Sequence, residues 1–134
     1  MNSWDSWRKR DILWRIWDAT ALRILLLSYV AEKVCQEIIN SGYQKHGVLI
    51  CGTGLGMAMT ANKFKHPRRR LHDIFSAERL KLSNDGNVIC MGERVIGTEL
   101  AKRILEKWLE LDFVDCASTS KVEAIKEIEG ENLK

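Results

Sequence analysis

The sequence carries one proline and no Cys-x-x-Cys pair, and its four cysteines, Cys35, Cys51, Cys90 and Cys116, lie far apart. That spacing excludes a zinc ribbon and a disulfide framework, and it reads as the reduced thiols of a cytoplasmic protein. No apolar run approaches the roughly 20 residues that a bilayer demands; the longest candidate, LRILLLSYVA, is short and interrupted. Charge is close to balanced, at a formal +3. The one basic cluster, Arg68-Arg69-Arg70, is too small to imply a nucleic-acid partner. At 134 residues the chain is long enough for a single domain with a substantial core.

Aromatic residues are also few, yet four of the five tryptophans fall in the opening MNSWDSWRKRDILWRIWDAT. A targeting peptide would be poor in acids, and Asp5, Asp11 and Asp18 interrupt this one. The segment reads as a helix packed on the body or as an extension, with no membrane partner. Beyond it, apolar periodicity predicts a helix from about Ala21 to Ser41, with Ile24, Leu27, Val30, Val34 and Ile38 as its stripe and Gly42 as its C-cap. HGVLIC reads as a buried strand, MAMTANKF as the opening of a helix, RLHDIF as a strand, SAERLKLS as a helix and NVICMG as another apolar strand. TELAKRILEKWLEL is amphipathic, with Leu100, Ile104, Trp108 and Leu111 on one face. SKVEAIKEIE closes the chain with Val122, Ile125 and Ile128. Strands alternating with helices predict an α/β layer fold around a parallel sheet, with ligands at the carboxyl ends of the strands.

One such end carries CGTGLGM. A phosphate-binding P-loop needs a lysine after its glycines, and none follows. A phosphatase loop would have an arginine where Met57 stands. The dinucleotide fingerprint is only approached, because Gly52, Gly54 and Gly56 run G-x-G-x-G; Asp73 stands at about the right distance to meet a ribose. A third chemistry uses the thiol. Backbone N–H groups at the start of a helix favour a thiolate at Cys51, and the same groups, uncrowded by glycine, stabilise an enediolate. A base beside an oxyanion cradle suits proton abstraction next to a carbonyl. The competing reading is an inert cysteine before a tight turn, and loop chemistry alone leaves the two open.

GVLICGTGLGMAMTANK, HDIFSAERLKLSNDGNVICMGERVIGTELAKRILEKWLELDF and KVEAIKEIE, taken together, resemble the ribose-5-phosphate isomerase B and galactose-6-phosphate isomerase family. The likeness covers about residues 28–134, and is densest from 47 to 113. It implies a Rossmann-like three-layer α/β/α fold for a domain at 28–134, preceded by an atypical segment at 1–27. It further implies a homodimer with active sites at the subunit interface, and aldose–ketose isomerisation of a sugar phosphate without metal or cofactor. On this likeness Cys51 moves the proton between C2 and C1, and the backbone of Gly52, Gly54 and Gly56 forms the anion hole. Thr53 matches a residue that helps bind and open the sugar ring, Asn84 one that binds substrate oxygens, and Arg94 a phosphate ligand, as a bidentate guanidinium suits.

The chain departs from the family pattern at several points. Nothing in the opening segment matches the family's first strand with its Asp-His pair. Ser83 stands where the family has a histidine, and Ala117 and Ser118 replace an Arg-His pair, leaving Lys121 as the one charge kept near the C-terminus. KHPRRRLHD replaces a short apolar strand and is one residue short; three consecutive arginines make a poor core strand and predict an exposed edge. These departures sustain a second reading, of an impaired relative that binds or dimerises without catalysis. His72 reads as a structural strand-end residue, Cys90 as core and Cys116 as an exposed, incidental thiol; His46 and His66 carry no assigned role.

Overall fold

The computed structural model describes residues 25–65 and 68–133. They form α1 (Leu25–Asn40), β1 (Gly47–Cys51), α2 (Leu55–Ala61), β2 (Arg68–Arg70), α3 (Ile74–Asn84), β3 (Val88–Gly92), α4 (Thr98–Glu110) and α5 (Thr119–Asn132). The tryptophan-rich opening, and with it the question of what replaces the family's first strand, lies outside the described residues.

The described strands are parallel in the order β1-β3-β2. β3 is central, and Val88, Ile89, Cys90 and Met91 are all buried. Alternation sends Val88 and Cys90 to one face, against Ala31, Cys35 and Ile38 of α1 and Met57, Ala58 and Ala61 of α2. Ile89 and Met91 face the other way, against Ala77 and Leu80 of α3 and Ile104, Leu105 and Trp108 of α4. The result is the three-layer, Rossmann-like α/β/α arrangement. Trp108 is wholly buried, and its indole N–H donates to the Gly86 carbonyl at 3.3 Å. Removing about 200 Å² of such a side chain from water contributes roughly 5 kcal/mol before entropy is counted.

Local chemistry explains the boundaries. α1 ends in a Schellman motif: Gly42, at φ +65°, donates to Ile39, and Tyr43 donates to Ile38. The sequence pattern extends a strand through Phe75, but β2 stops at Arg70 and α3 begins at Ile74. The reason is Asp73, which is extended and accepts the Ser76 N–H at 2.6 Å, an N-cap that starts the helix early. β2 holds an edge among the described strands, as three arginines suggest.

Packing shifts three of the predicted apolar stripes. In α1 the fully buried residues are Ala31, Cys35 and Ile38, with Val30 and Val34 flanking them. In α4 Leu105 joins Ile104 and Trp108 in the core, whereas Leu100 is exposed and Leu111 half-buried. In α5 only Val122 is buried; Ile125 and Ile128 are exposed. β1 is likewise less enclosed than its apolar run implies, because Ile50 faces outward.

Candidate active site

β1 and β3 run side by side with Cys51 opposite Gly92, so both chains leave the sheet at the same edge. After Cys51 the backbone must turn sharply into α2. Gly54 takes a left-handed conformation there, at φ +77°, which glycine adopts without steric cost. The turn aims the Gly54 N–H at Cys51 Sγ, 3.1 Å away. Thr53 is exposed, and its Oγ1 accepts the Leu55 N–H at 3.3 Å. Gly56 is exposed, and a Cβ there would meet no atom within 4 Å.

The turn after β3 closes over this loop through backbone bonds. Glu93 N–H donates to the Cys51 carbonyl at 2.8 Å and Arg94 N–H to the Gly52 carbonyl at 3.0 Å. The exposed Arg94 side chain runs past Gly52, its Nε 3.6 Å from where a Cβ of Gly52 would stand. Gly92 lies so near the loop that a Cβ would come 2.6 Å from the Thr53 Cα. The fold thus gathers Cys51, Gly52, Thr53, Gly54, Gly56 and Arg94 at the carboxyl edge of the sheet. A thiol, uncrowded backbone N–H groups and a guanidinium in one place suit an anionic substrate that must lose a carbon-bound proton.

Asn84 and Lys121 stand elsewhere. Asn84 ends α3, whose 11 residues carry the chain about 16 Å away from the Cys51 edge. Three residues later the Asn87 carbonyl accepts from Gly47, at the opposite end of β1 from Cys51. Asn84 Nδ2 donates to the Arg79 carbonyl at 3.1 Å. Lys121 is exposed in the first turn of α5, and the segment leading into that helix is tied to the end of α3 by Cys116 Sγ, 3.9 Å from the Leu82 carbonyl. A single chain therefore presents two groups of predicted site residues, at opposite ends of its sheet.

Two arrangements escape the sequence reading. His72, just past β2, accepts the Gly92 N–H on Nε2 at 3.0 Å. At the far end the buried Lys81 ammonium meets His46 Nε2 and lies 5.5 Å from the centre of the Trp108 ring. His46 stands edge-on to the same ring. Packing on that side, and then the Lys81 charge, lowers the His46 pKa, while Asp112 and Asp85 oppose the shift. Burial likewise lowers that of Lys81 against the pull of Asp85 and Asp112. No local motif signals these pairs, since His46 and Lys81 lie 35 positions apart. Among the described residues no three His, Cys, Asp or Glu side chains converge as metal ligands, and no helix is long and apolar enough to cross a membrane.

A parallel layered sheet with a thiol-bearing glycine loop at its carboxyl edge defines an open-sheet α/β protein whose site lies where such folds bind ligands. The chain belongs to the Ribose/Galactose Isomerase family, whose model matches residues 26–125. It is 46% identical over 109 residues to the Ribose-5-P isomerase B of Listeria innocua, covering 81% of this chain and 73% of that protein. It is 47% identical over 102 residues to the D-erythrulose-4-phosphate isomerase 2 of Mycolicibacterium smegmatis, covering 75% of this chain and 64% of that one. Among solved structures, the Ribose-5-Phosphate Isomerase B of Clostridium thermocellum superposes with a TM-score of 0.83 at 30% identity, over 96% of this chain and 86% of that chain.

Proposed function

We propose that the chain interconverts an aldose phosphate and its ketose, with Cys51 as the proton carrier. The observation that carries this reading is the Cys51 thiol at the carboxyl edge of the sheet, held at 3.1 Å by the Gly54 N–H beside a loop whose amides suit an oxyanion. In the forward direction the Cys51 thiolate takes the proton from C2 of the open-chain aldose. The electron pair moves into a C1–C2 enediolate, whose negative oxygen is stabilised by N–H groups of the Gly52–Gly56 loop. The Cys51 thiol then returns the proton to C1, and the C2 hydroxyl proton passes to the C1 oxygen, leaving the ketone at C2 and a hydroxyl at C1. Thr53 assists at the sugar ring and Arg94 binds the phosphate.

The site is completed by a second copy of the chain. Asn84 and Lys121 lie at the end of the sheet away from Cys51, so they serve the thiol of a partner in a homodimer. Relatives of nearly equal identity are named for ribose 5-phosphate and erythrulose 4-phosphate, so identity alone does not select the sugar, and both are tested. Solvent-deuterium incorporation at the carbon beside the carbonyl of each sugar phosphate, followed by NMR, is the direct assay. Exchange catalysed by the full chain and lost in Cys51→Ala supports the proposal. Equal exchange by Cys51→Ala, or none by the folded chain, overturns it. The second outcome is the one that Ser83, Ala117 and Ser118 favour, of a relative that dimerises without turning over.

A further inference from the structure

We infer that His72 is a positioning residue for the substrate site: its imidazole supplies the acceptor that holds Gly92, and through Gly92 it sets where Arg94 and the Cys51 loop lie. The inference rests on the reading that Cys51 and Arg94 act on one substrate. It begins from the ladder between β2 and β3, which pairs Arg70 with Cys90, after which Leu71 N–H donates to the Cys90 carbonyl at 3.1 Å. Carried one step further, a parallel ladder would offer the Leu71 carbonyl to the Gly92 N–H. The chain instead leaves the sheet, because Asp73 caps α3. The His72 side chain reaches back to accept the Gly92 N–H on Nε2, standing in for the Leu71 carbonyl that the ladder would have offered.

Gly92 is where the two loops of the site are joined. Its carbonyl accepts from Val95 at 3.0 Å and Ile96 at 3.1 Å, which shapes the turn bearing Arg94. Its Cα face presses on the Thr53 backbone, and the next two amides bind the Cys51 and Gly52 carbonyls. Gly92 is itself buried, so removing its acceptor strands a donor away from water, which a structure relieves by shifting. The displacement falls on the distance between Arg94 and Cys51. Through that bond to Gly92, the loss of His72 acts on how well the phosphate and the reacting carbon are held together.

The test uses the full chain with His72→Leu, which removes the acceptor, and His72→Gln, which restores one through its amide oxygen. In wild type, a through-hydrogen-bond ¹⁵N–¹⁵N coupling between the Gly92 amide and His72 Nε2 is expected, and its absence overturns the inference whether or not the variants fold. In His72→Leu the amide resonances of Thr53, Gly54 and Arg94 shift, KM for the sugar phosphate rises about tenfold and kcat changes by less than about threefold, and His72→Gln reverses most of this. Shifts confined to Gly92 and residues 70–74, with KM unchanged, overturn it and leave a purely structural role. If wild type shows no turnover, the isomerase reading fails separately, and the amide shifts still decide for or against His72.

Discussion

A Cβ at Gly92 would lie 2.6 Å from both Cα and C of Thr53, atoms of backbone that cannot swing aside. Gly92→Ala therefore forces the two loops of the site apart. It is expected to lower stability by about 1–3 kcal/mol and to reduce turnover together with it. Gly56→Ala makes the opposite comparison, because its Cβ enters open space: stability stays close to wild type, and any loss appears in KM where the new methyl crowds the substrate. Thermal denaturation and steady-state kinetics on the two variants check the contrast. The glycines at 52, 54 and 56 were legible as a loop from their spacing. The need for glycine at 92 was not, since it arises from a residue 39 positions earlier in the chain.

α3 carries different chemistry at its two ends. Its first turn is capped by Asp73, whose carboxyl is held below the usual range by hydrogen bonds from the Ser76 side chain and then the Ser76 N–H. Its last turn buries Lys81 against His46 and Trp108. Both pKa values there are lowered, so the unfolded chain binds protons more readily than the folded one at these positions. The His46 contribution is fully present above its ordinary value of 6.5 and is lost as pH falls through the lower folded value. Lys81 acts with the same sign at higher pH, below its ordinary 10.5. The melting temperature is thus expected to fall between pH 7 and pH 5.5. His46→Phe, which keeps an aromatic edge on Trp108 and removes the titration, is expected to flatten that dependence. An equal slope in both proteins would refute the assignment.

The predicted elements were mostly legible for a simple reason: α1 and α4 alternate apolar and polar residues at helical period, and β3 is continuously apolar because both faces are covered. Which residues of a stripe reach the core was less so. Leu105 is buried while Leu100 is not, because the position of α3 against α4 decides this, and periodicity locates an apolar face only to within about one residue. α5 shows the limit, since its repeat predicts three core residues and the fold covers only Val122.

At the scale of the whole molecule, the separation of Cys51 from Asn84 and Lys121 makes a complementation experiment decisive. In the proposed homodimer neither Cys51→Ala nor Asn84→Ala would hold a complete site, but a mixed dimer would hold one, pairing the intact thiol of one copy with the intact asparagine of the other. Equal mixing and re-assortment are expected to recover about a quarter of wild-type activity, since half the dimers are mixed and half their sites complete. No recovery from variants that fold and exchange subunits would place the two groups in unrelated roles.

The sequence by itself determined the order of helices and strands around a parallel sheet, the thiol–glycine loop and the family. Each of these depends on local periodicity, on turn chemistry or on motifs written contiguously along the chain. Only the tertiary structure decided that Arg94 lies against Gly52 while Asn84 stands a helix length away, that His72 accepts the Gly92 N–H just past the end of β2, and that Lys81 meets His46. Those are meetings between side chains brought in by separate elements, and they follow from how the layers pack, which no single stretch of sequence specifies.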